Sequence, residues 1–266
     1  MGLIYRFSKS GKGITKEEAL KRSYFNILWR KLSRLSVLNI LYFLCNIVFF
    51  ALSVFLMWGF FTGDENELAD FFINISKGRA LLPILPFVPL MFTGPTTAGL
   101  TYVCRNFARQ EHAFVASDFF EHTKKNFKQG MLAGIILTLV FYLYLNAAVY
   151  YYLNFPSSAV ISAVLGCFLI IASFYVYPLM VTFDMSLKDI FKNSILFALS
   201  NLPWNLLTLA ALVAVHGLLV LFLSSLHIVF AVIIWVVLMA VFLIAWSSFT
   251  INFTTWGAIQ KNINNN

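Results

Sequence analysis

Apolar and polar stretches alternate along this chain in a coarse pattern, with six long apolar runs separated by short polar ones. The runs lie at about 35–61, 81–104, 129–152, 158–181, 203–224 and 228–250. Each is close to the roughly 20 residues a helix needs to cross about 30 Å of hydrocarbon. No Asp, Glu, Lys or Arg lies between Lys128 and Asp184, and none between Lys192 and Lys261. Each of those charge-free stretches has room for two spans. A charge at mid-span costs at least about 2.5–3.5 kcal/mol, so such gaps are the expected signature of lipid. The pattern predicts an all-α polytopic membrane helix bundle. Its second run is unlike the others, because it contains Pro83, Pro86, Pro89, Gly94, Pro95 and Gly99. So many helix breakers predict a kinked, broken or re-entrant segment.

The polar stretches divide the rest. Residues 1–34 form a basic arm, in which nine Lys and Arg face only Glu17 and Glu18. Thr15-Lys16-Glu17-Glu18 reads as a capping box. Leu20, Tyr24, Ile27, Leu28 and Leu35 follow near helical spacing, flanked by Lys21, Arg22, Arg30, Lys31 and Arg34. That spacing fits an interfacial helix on an anionic leaflet, or a solvated basic segment leading into a span. Residues 35–260 read as a single transmembrane domain and 261–266 as a short tail. After the first span comes an acidic loop with Asp64, Glu65, Glu67 and Asp70. In 105–128, Ser117 is the expected N-cap, with Asp118 and Glu121 early and Lys124, Lys125 and Lys128 late, as the helix dipole favours. Residues 182–193 form a second polar segment, followed by a hinge at Asn201-Leu202-Pro203. Trp58 and Trp256 mark interfaces.

Orientation follows from the basic residues. With the N-terminus inside, 1–34, 105–128, 182–193 and the tail hold seventeen of the nineteen Lys and Arg, leaving Lys77 and Arg79 outside. Both ends are then cytoplasmic. Pro89-Leu90-Met91 before Lys125-Asn126, and Pro178-Leu179-Met180 before Lys192-Asn193, form a weak internal echo.

Composition agrees with the pattern. Of 266 residues, 60% are apolar and 11% charged, against about 45–50% and 25% in soluble domains. Cys45, Cys104 and Cys167 sit in or beside separate apolar runs with no CxxC spacing, as buried thiols do. The first run is too long for a signal-peptide core.

Motifs for chemistry are scarce. The chain has no Walker A loop, HExxH, GxSxG or dinucleotide fingerprint, so no enzymatic activity or cofactor is implied. Glu111, His112, Asp118, Glu121 and His122 cluster in sequence, but their spacing matches no standard metal site and suits a solvated polar helix. His216 is the one titratable group deep in a span. It reads as hydrogen-bonded structure or as a proton relay. Thr93-Gly94-Pro95-Thr96-Thr97 is the most unusual stretch. Pro95 suits the first position of a new helix capped by Gly94. Such a start near mid-membrane either presents free amides to a solute, as in discontinuous transporter helices, or is a kink whose small residues pack closely. Asn39, Asn46, Asn146, Ser162, Ser173, Ser247 and Ser248 fit interhelical hydrogen bonds. Tyr142, Tyr144, Tyr150, Tyr151 and Tyr152 fit an aromatic belt.

The stretch Gly94 to Gln129 resembles the YesL-like family of bacterial membrane proteins, a domain-of-unknown-function family. The resemblance rests on Gly94-Pro95, Ala98-Gly99-Leu100, Arg105-Asn106, Ser117-Asp118-Phe119 and Lys125-Asn126-Phe127. Leu38-Asn39, the basic arm and Tyr177-Pro178-Leu179 also fit. The resemblance supplies no catalytic residue. Genes of that family often neighbour those of carbohydrate ABC importers and carbohydrate-degrading enzymes. This implies a non-catalytic accessory or regulatory subunit of such an importer in the bacterial cell membrane. Docking would run through the spans and the inner helices, at Arg105, Arg109, Phe119, Phe120, Lys124, Lys125, Phe127, Lys188, Phe191 and Lys192. A small-solute transporter or channel at the Gly94-Pro95 break, and a membrane sensor or assembly factor, are the alternatives. Partners are the lipid bilayer and possible importer subunits, with no nucleic acid, because the basic arm runs straight into lipid.

Overall fold

The computed structural model describes residues 23–58 and 82–264. The Thr15–Glu18 capping box, the acidic loop, and Lys77 and Arg79 lie outside the described residues. Within them the elements are α1 (Tyr24–Trp58), two 3-10 stretches (Leu82–Phe87 and Pro89–Thr93), α2 (Gly94–Ala108), α3 (Val115–Lys125) and α4 (Phe127–Asn154). Then come a short 3-10 turn (Pro156–Ser158), α5 (Ala159–Thr182), α6 (Leu187–Ser200), α7 (Leu202–Ser224) and α8 (Ile228–Leu238). A π-helical turn (Met239–Leu243) joins α8 to α9 (Ile244–Asn264). No strand occurs among the described residues.

Five of these helical stretches are long and apolar enough to cross a membrane. The residues from 82 to 108 make a sixth, composite crossing. They run antiparallel to α1: Phe92 stacks on Phe49 at 5.6 Å, Thr97 meets Tyr42 at 3.1 Å, and Phe107 lies under Lys31 at 5.0 Å. At about 2.0 Å per residue in 3-10 and 1.5 Å in α geometry, the segment extends roughly 45 Å. It therefore crosses fully and does not re-enter.

Every charged residue among the described ones lies at one end of the bundle, termed here the basic end. It is built from the start of α1, the end of α2, α3, the α5–α6 connection and the end of α9. The rest of the outer surface is apolar: Val160 is 72% and Ile161 73% exposed, and α7 and α8 are similar. In water each such side chain would forgo about 1.5–3 kcal/mol of burial. In lipid it costs nothing, and the molecule is a multi-pass membrane protein.

Several expectations are corrected. α1 runs from Tyr24 without a break at 34/35, so arm and span are one helix there. Its apolar stripe is not laid on a leaflet. Ile27 and Leu35 are enclosed in a core with Leu38, Val103, Phe107, Phe119 and Phe249, and Tyr24 and Leu28 pack against it. The outward positions are Phe25 and Trp29, 77% and 79% exposed. The N-cap of α3 is Phe114, three residues before Ser117. Asp118 reaches back to accept the Phe114 amide at 2.9 Å, giving the acidic half of a capping box. α9 continues through 261 to Asn264, so the expected tail is largely helical. Of the cysteines, only Cys104 is enclosed by protein, whereas Cys45 and Cys167 are exposed on spans and face lipid. The internal echo has a loose structural counterpart, since both α2–α3–α4 and α5–α6–α7 run from a crossing through a short helix into the next. The asparagines differ: Asn126 sits between α3 and α4, and Asn193 sits within α6.

A second core joins α5, α6 and α9 through Ile171, Tyr175, Leu179, Ile190 and Ile259. Ala98 of α2 belongs to this core and Leu100 to the first, so α2 is the wedge between the two.

Candidate functional site

Twelve of the fifteen residues of α2 are buried. The helix carries the expected solute site at its start and the expected docking residues at its end.

At the start, Pro95 has no amide hydrogen, and the backbone changes from 3-10 to α at Thr93–Gly94. The change falls near mid-membrane, because Thr96 bonds Asn46, midway along the charge-free part of α1. It is an interruption of helix type and not of the helical path. The N-cap is Thr93, not Gly94, and Gly94 holds ordinary helical angles, φ −55° and ψ −47°. Glycine is needed here for space. A Cβ at Gly94 would stand 2.0 Å from the Gly130 carbonyl oxygen, and one at Gly134 would stand 2.6 Å from that of Met91. Met91 O is the carbonyl an α-helical Pro95 amide would have bonded. The junction is thus pressed backbone to backbone onto the Gly130-x-x-x-Gly134 face of α4.

The hydroxyls there are already engaged. Thr93 donates to Leu90 O at 2.8 Å. Thr97 reaches Thr93 O at 2.8 Å, and the Tyr42 hydroxyl is 3.1 Å from it. Thr96 is 2.7 Å from Thr93 O and 2.9 Å from Asn46 Oδ1. Asn46 in turn donates to Tyr42 O at 2.7 Å. Neutral groups bonded to one another hold helices together and present no charge to a solute.

At the other end of α2, Arg105 is 7% exposed. Its Nη1 donates to Val181 O at 2.5 Å and to Thr182 Oγ1 at 3.2 Å. Its Nε and Nη2 donate to Asn106 Oδ1 at 3.2 and 2.9 Å. Tyr102 lies 4.5 Å beneath the guanidinium. Arg105 therefore caps the last carbonyls of α5, where the helix dipole favours a cation, and Asn106 orients it. The Arg105-Asn106 pair is a staple between α2 and α5. Arg109 packs 4.2 Å over Trp256 and pairs with Glu111 at 2.7 Å. The chain then turns through Gln110, with φ 59°. Glu111 N donates to Asn106 O and Gln110 N to Phe107 O, a Schellman closure with glutamine in the left-handed place.

The docking residues divide. Arg105 and Phe119 are enclosed, so neither is available to a partner. Arg109 is occupied by Trp256 and Glu111, and Phe191 is half-buried. Phe120, Lys124, Lys125 and Phe127 are exposed around α3 and the start of α4, and Lys188 and Lys192 are exposed on α6. All sit at the basic end.

His112 stacks edge-on against Phe114, and His122 stacks on Tyr102 with centroids 3.3 Å apart. Among the described residues no three His, Cys, Asp or Glu side chains converge as metal ligands would. Burial holds the His122 imidazole below its ordinary pKa, with Lys125 and Arg105 acting the same way against Glu121 and Asp118. His216 Nδ1 is bonded to Leu212 O at 2.9 Å within its own helix.

Sequence reasoning missed the role of Asn39. Its Nδ2 donates to Met239 O at 2.7 Å, and its Oδ1 accepts the Ala245 amide at 2.6 Å. These are backbone groups left open by the π-turn. One side chain from α1 thereby fills a wide turn in the last crossing. No sequence signal marks a π-turn, whereas the four-residue spacing of Gly130 and Gly134 was visible.

A family described as "Protein of unknown function, DUF624" matches residues 23–147. That region takes in α1, the composite crossing, α3 and most of α4, and so both ends of α2. The chain is also similar to the uncharacterized protein YteU of Bacillus subtilis (strain 168), 31% identical over 129 residues, or 47% of this chain and 58% of that protein. The alignment thus spans just over half of that relative's length. No solved structure matches the chain.

Proposed function

We propose that the chain is a non-catalytic accessory or regulatory membrane subunit that docks through its basic end. The observation carrying this reading is the closed junction at Gly94-Pro95. The position a transporter would use for solute is filled by Gly130 and Gly134, and its hydroxyls bond Asn46 and Thr93. The exposed Phe120, Lys124, Lys125 and Phe127 supply aromatic and cationic groups for a partner. The YesL-like likeness of Gly94 to Gln129 favours a carbohydrate ABC importer of the bacterial cell membrane as that partner. The basic end then faces the cytoplasm, by the positive-inside rule.

A photoreactive residue at position 120 tests this in native membranes. The expected result is a cross-link to a membrane-spanning subunit of an importer, lost when the residue is placed at buried position 119. Cross-links to lipid alone, with solute flux by the purified chain in liposomes, would replace the accessory reading with transport.

A further inference from the structure

A pocket of about 290 Å³ opens at the basic end between the start of α7 and the last turns of α9, away from α3 and the glycine junction. Its polar lining is Asn201, Trp204, Thr254 and Lys261, and its floor includes Phe253 and Gly257. No carboxylate lines it. Lys261 has no ion-pair partner among the described residues. The Trp204 indole N–H likewise has no acceptor among them. Asn201 caps α7 without a side-chain bond to it, and Pro203 follows, so the first-turn amides of α7 open toward the same end. Asn201 Nδ2 is directed at the Tyr175 hydroxyl at 3.5 Å and Thr254 Oγ1 is bonded to Thr208 and the Thr250 carbonyl, which leaves the Trp204 N–H as the open side-chain donor and Lys261 as the one charge.

The depth of the pocket narrows the choice of ligand. Trp204 begins the crossing Leu202–Ser224, and Lys261 ends the crossing Ile228–Lys261. Both ends mark the membrane–water boundary, where Trp and Lys anchor. The volume lies near the small end of ligand sites, about 300 Å³, enough for a polar headgroup and not for a whole lipid. Exposed Leu206 and Leu207 continue the α7 surface outward, where acyl chains would lie. Basic pockets between spans on the cytoplasmic side are suited to anionic headgroups.

We infer that the α7–α9 pocket binds the phosphate-bearing headgroup of an anionic phospholipid, with Lys261 as the cation and the Trp204 indole as hydrogen-bond donor.

Native mass spectrometry of the full chain in detergent, with phosphatidylglycerol and phosphatidylcholine competing at equal concentration, tests it. Wild type should retain phosphatidylglycerol preferentially. Lys261→Gln should weaken that retention about fivefold, as expected for one lysine near a membrane surface. Trp204→Phe should weaken it less, and Lys188→Gln should leave it unchanged. Melting temperature should not move, since Lys261 is exposed. Equal losses from Lys261→Gln and Lys188→Gln would show diffuse charge attraction and overturn the site. So would unchanged retention in Lys261→Gln. Inorganic phosphate is the second arm: displacement of the lipid by millimolar phosphate would make the ligand a free anion and overturn the lipid assignment.

Discussion

Gly94 shows how one residue decides between two functions. Its neighbour Pro95 marks an irregular crossing in the sequence, and the structure confirms a change of helix type there. Sequence does not reveal whether a glycine is present for its backbone angles or for its missing side chain. Here the angles are helical and the space is absent. Gly94→Ala forces its methyl group into the Gly130 carbonyl, and backbone cannot yield as a flexible side chain does. The expected cost is about 1–3 kcal/mol of overpacking, read as a lower melting temperature in detergent. Gly217, with nothing within 4 Å of an added Cβ, is the control, and Gly217→Ala should be neutral or slightly stabilising. Asn39 was equally visible as a polar residue in a span. Its pairing with a π-turn some 200 residues away was not, because that contact exists only once α1 and α9 are packed.

At the scale of elements, α4, α5 and α7 begin and end within two residues of the charge-free runs, whereas α1 starts well before its run and α9 continues well past its own, because helix propagates through the flanking polar residues once these pack at the basic end. The cap of α3 lies three residues before the expected one, because Asp118 can reach back to the Phe114 amide. Its inner face was misassigned for a related reason: Phe119 and Phe120 are adjacent in sequence, and only packing against α2 shows which is core. His122 faces the same contact. Its pKa is lowered in the fold, so the folded imidazole resists protonation that the unfolded chain accepts near pH 6.5. Well above that value neither state binds the proton, and His122 has no effect on stability. As pH falls through it, the unfolded state takes up a proton first and stability drops. The drop ends once the folded imidazole also protonates. Melting temperature should therefore fall between pH 7.5 and the acid side of pH 6.5. His122→Phe, which keeps the stack on Tyr102, should flatten that part of the profile. A profile unchanged by the substitution would assign the pH response to other groups.

For the whole molecule, the segregation of charge to one end was readable from composition and spacing alone, and it fixes which ends of the crossings lie together. Which side of the membrane that end faces is a matter for labelling in intact cells, with Cys45, Cys104 and Cys167 replaced. A membrane-impermeant thiol reagent should reach Asn66→Cys but neither Lys12→Cys nor Gln110→Cys, and labelling at 110 from outside would invert the arrangement. What the sequence could not supply was the state of the mid-membrane junction, since proline and glycine permit an open cavity as readily as a tight joint. The same cysteine-free background gives the most direct test of the claim that the joint is dry. Thr97→Cys nearly preserves the side chain's size, and its reaction rate with a small polar thiol reagent can be compared in purified protein with that of exposed Phe120→Cys. The expected result is rapid modification at 120 and far slower modification at half-buried 97, rising to a comparable rate only when the protein is unfolded. Comparable rates at the two positions in the folded protein would show water at the junction and contradict the account.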